Sequence, residues 1–223
     1  MQPPLFLLAP GAGAPSSHPW MRHWAELLGT VGSVHNMDYG YAVEGRRRPD
    51  PLLQLVTAHR AALAAIRNED AGAVVLIGKS MGSRVGCHVS LEENVSALVC
   101  LGYPLCGGGD AAKLRDKVLR EIRTAILFIQ GTRDPLCPLE LLAKVRAQMA
   151  APNELYVVEG GDHSLAVTKR QLTAAGETQD EVDARILEVI GVFLRRHTEG
   201  DTPRRSRAAT ADVATALGRR SDT

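Results

Sequence analysis

Val74-Val75-Leu76-Ile77-Gly78-Lys79-Ser80-Met81-Gly82 decides the fold of this chain. Four consecutive apolar residues, three of them β-branched, read as a buried strand. The run stops at Gly78, and a helical pattern begins just beyond Ser80. A serine between glycines two positions away on each side thus sits on a strand–turn–helix junction. The glycines have a steric purpose. A residue held on so sharp a turn takes strained backbone angles, and bulkier neighbours at 78 and 82 would collide with the flanking strand and helix. Composition alone would generate roughly 0.09 such patterns in a chain with 21 glycines. The weight of the motif therefore comes from its position.

Outward from this turn the same alternation recurs. Strands are expected at Leu5–Ala9, Ser33–Tyr39, Ala97–Leu101, Ala125–Gln130 and Leu155–Val158, with helices between them. Met21–Leu28, Pro51–Arg67, Ala111–Ile122, Leu139–Met149 and Thr178–Arg196 carry the helical patterns. Leu52, Leu55, Val56, Ala62, Leu63 and Ile66 form one apolar stripe, and Val182, Ile186, Val189, Ile190 and Phe193 another. Roughly six parallel strands with helices on both faces follow from this order. Right-handed crossovers put every strand's C-terminal end on one edge. With the serine turn after the third strand, the expectation is a compact α/β-hydrolase fold, without a separate lid domain because the connection from Leu101 to Ala125 is short. The domain is expected over 1–197. Residues 198–223, rich in Arg, Ala, Thr and Ser without an apolar stripe, read as a disordered tail.

Bulk properties narrow the function classes. With 26 basic and 25 acidic side chains the net charge is +1, so no broad field favours nucleic acid or an anionic membrane. The apolar start at Leu5–Ala9 is too short for a signal peptide or a membrane span. Cys87, Cys100, Cys106 and Cys137 lack zinc-ligand spacing and any disulfide framework. The expectations are a cytoplasmic location, with the nucleus also open, and neither metal nor cofactor. Gly78-Lys79-Ser80 also looks like the end of a phosphate-binding loop, but that motif needs glycine at 73, where Ala73 stands.

A serine hydroxyl is a poor nucleophile unless a base takes its proton and a third group orients the base. In this fold the partners follow in the order serine, acid, histidine, each after a strand. Asp134 lies in Gly131-Thr132-Arg133-Asp134-Pro135, directly after a strand, and His163 in Gly160-Gly161-Asp162-His163-Ser164, after the last one. An Asp-Pro turn or a loop histidine is common and usually inert by itself; here order and placement agree for all three. Asp110 and Asp162 are the rival acids. Asp110 lies beyond Gly107-Gly108-Gly109, and Asp162 suits bracing the loop of its neighbour. The oxyanion donors are expected to be the N–H of Met81 and that of Ala12, in the loop Pro10-Gly11-Ala12-Gly13, with Gly13 as the alternative. Arg46-Arg47-Arg48 reads as a solvated charge run, Cys106 and Cys137 as buried structural thiols near the crevice, and Trp20 and Trp24 as core or cleft wall.

With these residues placed, the chain resembles the α/β-hydrolase-like family of testis-expressed protein 30 and non-specific lethal complex subunit 3, from about Leu5 to Phe193. The resemblance rests on Gly11-Ala12-Gly13-Ala14-Pro15-Ser16-Ser17, Gly78-Lys79-Ser80-Met81-Gly82-Ser83-Arg84 and Cys100-Leu101-Gly102-Tyr103-Pro104-Leu105. It continues in Gln130-Gly131-Thr132-Arg133-Asp134-Pro135-Leu136-Cys137-Pro138 and Gly160-Gly161-Asp162-His163-Ser164. The family is similar in outline to dienelactone hydrolases. This chain departs from it at Pro10, where the family usually has histidine. The resemblance leaves the substrate undefined. The three residues lead to the expectation of a serine hydrolase of small ester-like acyl substrates. Because the family includes a chromatin-complex subunit, the resemblance implies an alternative role as a binding partner in a protein complex.

Overall fold

The computed structural model describes residues 3–67 and 72–198. The expected tail falls almost wholly outside them. Six strands form one parallel sheet: β1 (Leu5–Ala9), β2 (Ser33–Asn36), β3 (Val74–Lys79), β4 (Ala97–Leu101), β7 (Ile126–Gly131) and β8 (Asn153–Val158), in the order β2-β1-β3-β4-β7-β8. The chain passes from β1 to its neighbour β2 on one side and then crosses back to place β3 on the other. This reversal opens a crevice at the C-terminal ends of β1 and β3, where ligands bind in open parallel sheets.

Alternation along the strands builds two cores. Leu7, Ala9, Leu76, Leu98, Cys100, Ile126 and Phe128 face one side, against α3 (Leu52–Ile66), α4 (Met81–Val89), α5 (Lys117–Glu121) and α6 (Leu139–Arg146). Phe6, Leu8, Val75, Ile77, Val99, Leu101, Leu127 and Ile129 face the other, against α1 (Pro19–Leu28) and α8 (Gln179–Thr198). Both faces of the central strands are thus covered, which is why they read as unbroken apolar runs.

Three segments differ from expectation. The N-terminal part of 111–122 is not helical: β5 (Cys106–Gly107) and β6 (Asp110–Leu114) form a separate antiparallel hairpin, and only Lys117–Glu121 is helix. Gly108 and Gly109 both take positive φ, so the chain reverses there and the following residues pair back on Cys106 and Gly107. Between β4 and β7 the chain holds this hairpin and α5, and among the described residues there is no separate lid domain. The short α2 (Gly40–Val43) and α7 (Lys169–Ala175) lie in stretches without a long apolar stripe. Among the described residues no helix is long and apolar enough to cross a membrane.

His59, inside the α3 stripe, is fully buried. Its Nδ1 lies 3.2 Å from the Tyr39 hydroxyl, while its Nε2 has no partner among the described residues. Burial disfavours the imidazolium and pushes the pKa down to about 4. The unfolded chain, with an ordinary histidine pKa near 6.5, therefore binds this proton first as pH falls. The resulting contribution to stability is intact above about pH 6.5 and erodes by about 3 kcal/mol down to pH 4. Urea unfolding of wild type and His59→Gln should show their stability difference shifting by that amount, in favour of the variant, between pH 7 and pH 4. Parallel pH curves would contradict the assignment.

Candidate active site

Ser80 ends the β3 turn with φ 50° and ψ −111° and precedes the first residue of α4. A β-carbon on Gly78 would lie 2.2 Å from the Ser83 nitrogen, and one on Gly82 would lie 2.4 Å from the Ala9 carbonyl oxygen. No real side chain survives either contact. The two glycines therefore let α4 press directly against β3 and the end of β1, and that contact forces Ser80 into its strained conformation. The Ser80 N–H donates to the Leu101 carbonyl at 3.2 Å, so β4 also holds the turn. Met81 opens α4, and its N–H has no carbonyl four residues back within the helix to bind.

Asp134 follows β7 and is buried. Its carboxylate accepts from the Leu136 N–H at 2.8 Å, from the Gln130 side-chain amide and from His163 Nδ1 at 2.7 Å. Three donors compensate a charge that would otherwise be costly to bury. Because a carboxylate only accepts, Nδ1 carries the proton. In the neutral ring Nε2 is then an acceptor, and it lies 2.8 Å from Ser80 Oγ. A hydroxyl bound to an imidazole whose far nitrogen is held by a carboxylate is the arrangement that activates serine for attack. Residues 29 and 83 positions apart are thus brought into one hydrogen-bonded chain.

The loop carrying His163 is laced to the loop carrying Asp134. The Arg133 N–H donates to the Gly161 carbonyl at 2.8 Å, the Thr132 N–H to Val158 at 3.1 Å, and the Gly160 N–H to the Thr132 hydroxyl at 2.8 Å. A β-carbon on Gly131 would stand 2.2 Å from the Gly161 carbonyl oxygen, so this lacing needs glycine there. Asp162 accepts from the Ser164 and Ala166 N–H groups and braces the loop. Leu165 turns it through φ 64°; Ser80 and Leu165 are the two non-glycine residues with positive φ among those described. Asp110 is exposed on the hairpin, 3.3 Å from Lys113, and has no part in this chain of hydrogen bonds.

The Pro10–Gly13 loop follows β1 and comes close to Ser80: a β-carbon on Gly11 would touch the Ser80 Cβ at 3.5 Å. Tyr41 donates to the Ala12 carbonyl at 3.0 Å, and Asp38 accepts from the N–H and hydroxyl of Ser16 at 2.7 and 2.6 Å. Ala12 is exposed. Cys106 and Cys137 are buried, and burial pushes the Cys137 thiol up to about 12. Trp24 belongs to the core, whereas half-buried Trp20 lies against Lys79 and Ser164. Arg46 pairs with Glu44 and Asp50 at 2.7 Å each on the surface.

Three contributors escaped the sequence pattern: Gln130, which spans from the Tyr103 N–H to Asp134; Tyr41, which holds the Ala12 carbonyl and with it the Ala12–Gly13 peptide; and Lys79, whose ammonium donates to the His163 carbonyl. Gln130 and Lys79 had one available signal, a polar residue in an otherwise apolar strand.

An open parallel sheet with this serine turn and hydrogen-bonded chain defines an α/β-hydrolase. The chain belongs to the alpha/beta hydrolase domain family, matched over residues 2–194. Among solved structures it is similar to an alpha-beta serine hydrolase homologue from Coxiella burnetii (18% identity, TM-score 0.63, covering 86% of this chain and 84% of that one). It is similar also to the esterase domain of a Rhodothermus marinus protein (18%, TM-score 0.62, 89% of each chain) and to dienelactone hydrolase from Anabaena variabilis (18%, TM-score 0.60, 88% of each). At this identity the likeness establishes the fold.

The Gly131 contact yields a direct test of the lacing. Gly131→Ala should cost on the order of 1–3 kcal/mol, because neither opposing group is a flexible side-chain end that can move aside. Urea denaturation would measure it; an unchanged midpoint would show that the two loops separate freely.

Proposed function

We propose that this protein is a serine hydrolase of small acyl substrates, a carboxylic ester hydrolase in which Ser80, His163 and Asp134 are the catalytic triad. The observation that carries the reading is the continuous hydrogen bonding from Ser80 Oγ through the His163 ring to buried Asp134, with the serine on a strained turn. Backbone strain at Ser80 is a cost, and a buried carboxylate held by three donors an arrangement, that packing alone does not explain. The printed descriptions of the structural neighbours (a serine hydrolase homologue, an esterase domain, a dienelactone hydrolase) agree with it. So does the match of motifs to the family of testis-expressed protein 30 and non-specific lethal complex subunit 3. Four free, buried cysteines suit a reducing compartment.

The mechanism is two-step acyl transfer. Ser80 Oγ attacks the acyl carbon while His163 Nε2 takes its proton, and the imidazolium that forms is stabilised by Asp134. The tetrahedral oxyanion is held by the N–H groups of Met81 and Ala12, each worth about 10²–10³ in rate. His163 then protonates the leaving alcohol. Water, deprotonated by the same nitrogen, releases the acid and restores Ser80. No metal enters these steps, and the roles of residues on three separate loops depend on their mutual distances alone.

Intact-mass labelling with a fluorophosphonate probe tests the reading. Wild type should take one label; Ser80→Ala should take none. His163→Ala should react more slowly by on the order of 10⁶, and Asp134→Asn by about 10⁴. A correctly folded wild type that stays unlabelled would overturn the proposal and move attention to a protein partner.

A further inference from the structure

We propose that Lys79 is a positioning residue: its ammonium, with the Trp20 indole beside it, clamps the main chain of the His163 loop and so holds the imidazole between Ser80 and Asp134. The inference rests on the reading of these three residues as a triad and adds the device that keeps it assembled.

A lysine at the end of a central strand is anomalous. Lys79 is the last residue of β3 and only 8% exposed, where packing alone would select an apolar side chain. Its ammonium makes no ion pair among the described residues. Instead it donates to the His163 carbonyl and lies 5.3 Å from the centroid of the Trp20 ring. Trp20 in turn donates its indole N–H to the next carbonyl, that of Ser164, at 2.9 Å. Two side chains from different elements therefore seize consecutive peptide oxygens of the loop, one through a charge-assisted bond, and the cation rests on the indole face of the other.

The surroundings are shaped for this contact. Gly102 takes φ 72°, and a β-carbon there would lie 2.6 Å from the His163 carbonyl oxygen and 3.1 Å from the Lys79 ammonium nitrogen. The gap between β4's end and the loop is thus kept open for the lysine. On the other side a β-carbon on Gly11 would lie 3.5 Å from the Lys79 Cγ, so the loop after β1 borders the lysine stem. The loop has a need for such a hold, since Leu165, two residues beyond His163, is bent into the left-handed region.

Two carboxylates act on the ammonium at longer range, Asp134 after β7 and Asp162 in the loop after β8, and both favour the cation. Burial opposes them and dominates, bringing the pKa down to about 8. The cation is therefore present below pH 8 and lost above it, where an ordinary lysine keeps its charge. Deprotonation removes both the charge assistance and the attraction to Trp20, so the clamp loosens on the alkaline side.

The test compares wild type, Lys79→Met, Lys79→Gln and Trp20→Phe by fluorophosphonate labelling rate and by turnover of a p-nitrophenyl ester between pH 6 and pH 10. Wild-type kcat should fall reversibly through about pH 8. Lys79→Met should lower kcat 10- to 100-fold with KM changed less than threefold, and should lack the alkaline limb. Lys79→Gln, which keeps a donor without charge, should recover part of kcat and also lack that limb; Trp20→Phe should lower kcat by a smaller factor. A folded Lys79→Met or Lys79→Gln with kcat within twofold of wild type and the same alkaline limb would overturn the proposal. Should neither fold, the low-field proton resonance of the His163–Asp134 hydrogen bond in wild type decides. Its loss above pH 8 with the fold intact supports the clamp, and its persistence to pH 10 refutes it. Failure of wild type to label at any pH would instead strike the triad reading itself.

Discussion

The close approach of α4 to β1 and β3 is the contact on which the rest of this structure depends. Gly78 and Gly82 leave no room for a side chain against Ser83 and Ala9, so helix and sheet meet backbone to backbone at the point where the strand order reverses. That meeting strains Ser80, lifts its hydroxyl out of the sheet edge and brings the Gly11 loop alongside. A helix packed at the ordinary distance would leave the serine a surface residue at a helix start.

Around this fixed turn the other components are held by backbone hydrogen bonds between loops. Asp134 and His163 leave neighbouring strands, β7 and β8, so their loops run side by side and exchange the bonds from Thr132, Arg133 and Gly160. The acid and the base are thereby registered to each other before either is registered to the serine. The remaining degree of freedom is the distance from this paired unit to Ser80, and Lys79, adjacent to the serine in sequence and bound to the His163 carbonyl, spans that gap. A buried cation that makes no ion pair among the described residues is expensive; its position at this one joint gives the expense a purpose.

Much of this was legible beforehand because its causes are local. Parallel-sheet architecture follows from apolar runs that stop at glycine, and the residues after each run must gather on one edge. That ground, with the glycines around Ser80 and the order of the partners, pointed to Ser80, Asp134 and His163 while Asp110 and Asp162 stayed as rival acids, and the three meet within hydrogen-bond distance. Ala111–Leu114, in the second strand of the hairpin, reads as helix from sequence because these exposed residues carry no strand alternation and owe their pairing to two glycines at positive φ. Gln130 and His59 hid inside apolar stretches for a related reason: burial of a polar side chain is decided by a partner on another element, Tyr103 for one, 27 residues away, and Tyr39 for the other, 20 residues away.

The sequence by itself determined the layers, the strand–turn–helix setting of Ser80 and the order in which acid and base follow it, since periodicity, glycine placement and chain direction are properties of neighbouring residues. Tertiary structure alone decided which acid faces the histidine, which peptides line the turn, and that Lys79 grips the His163 loop instead of pointing to solvent. Those outcomes depend on distances between segments up to 84 residues apart, and such distances exist only after the sheet has closed around them.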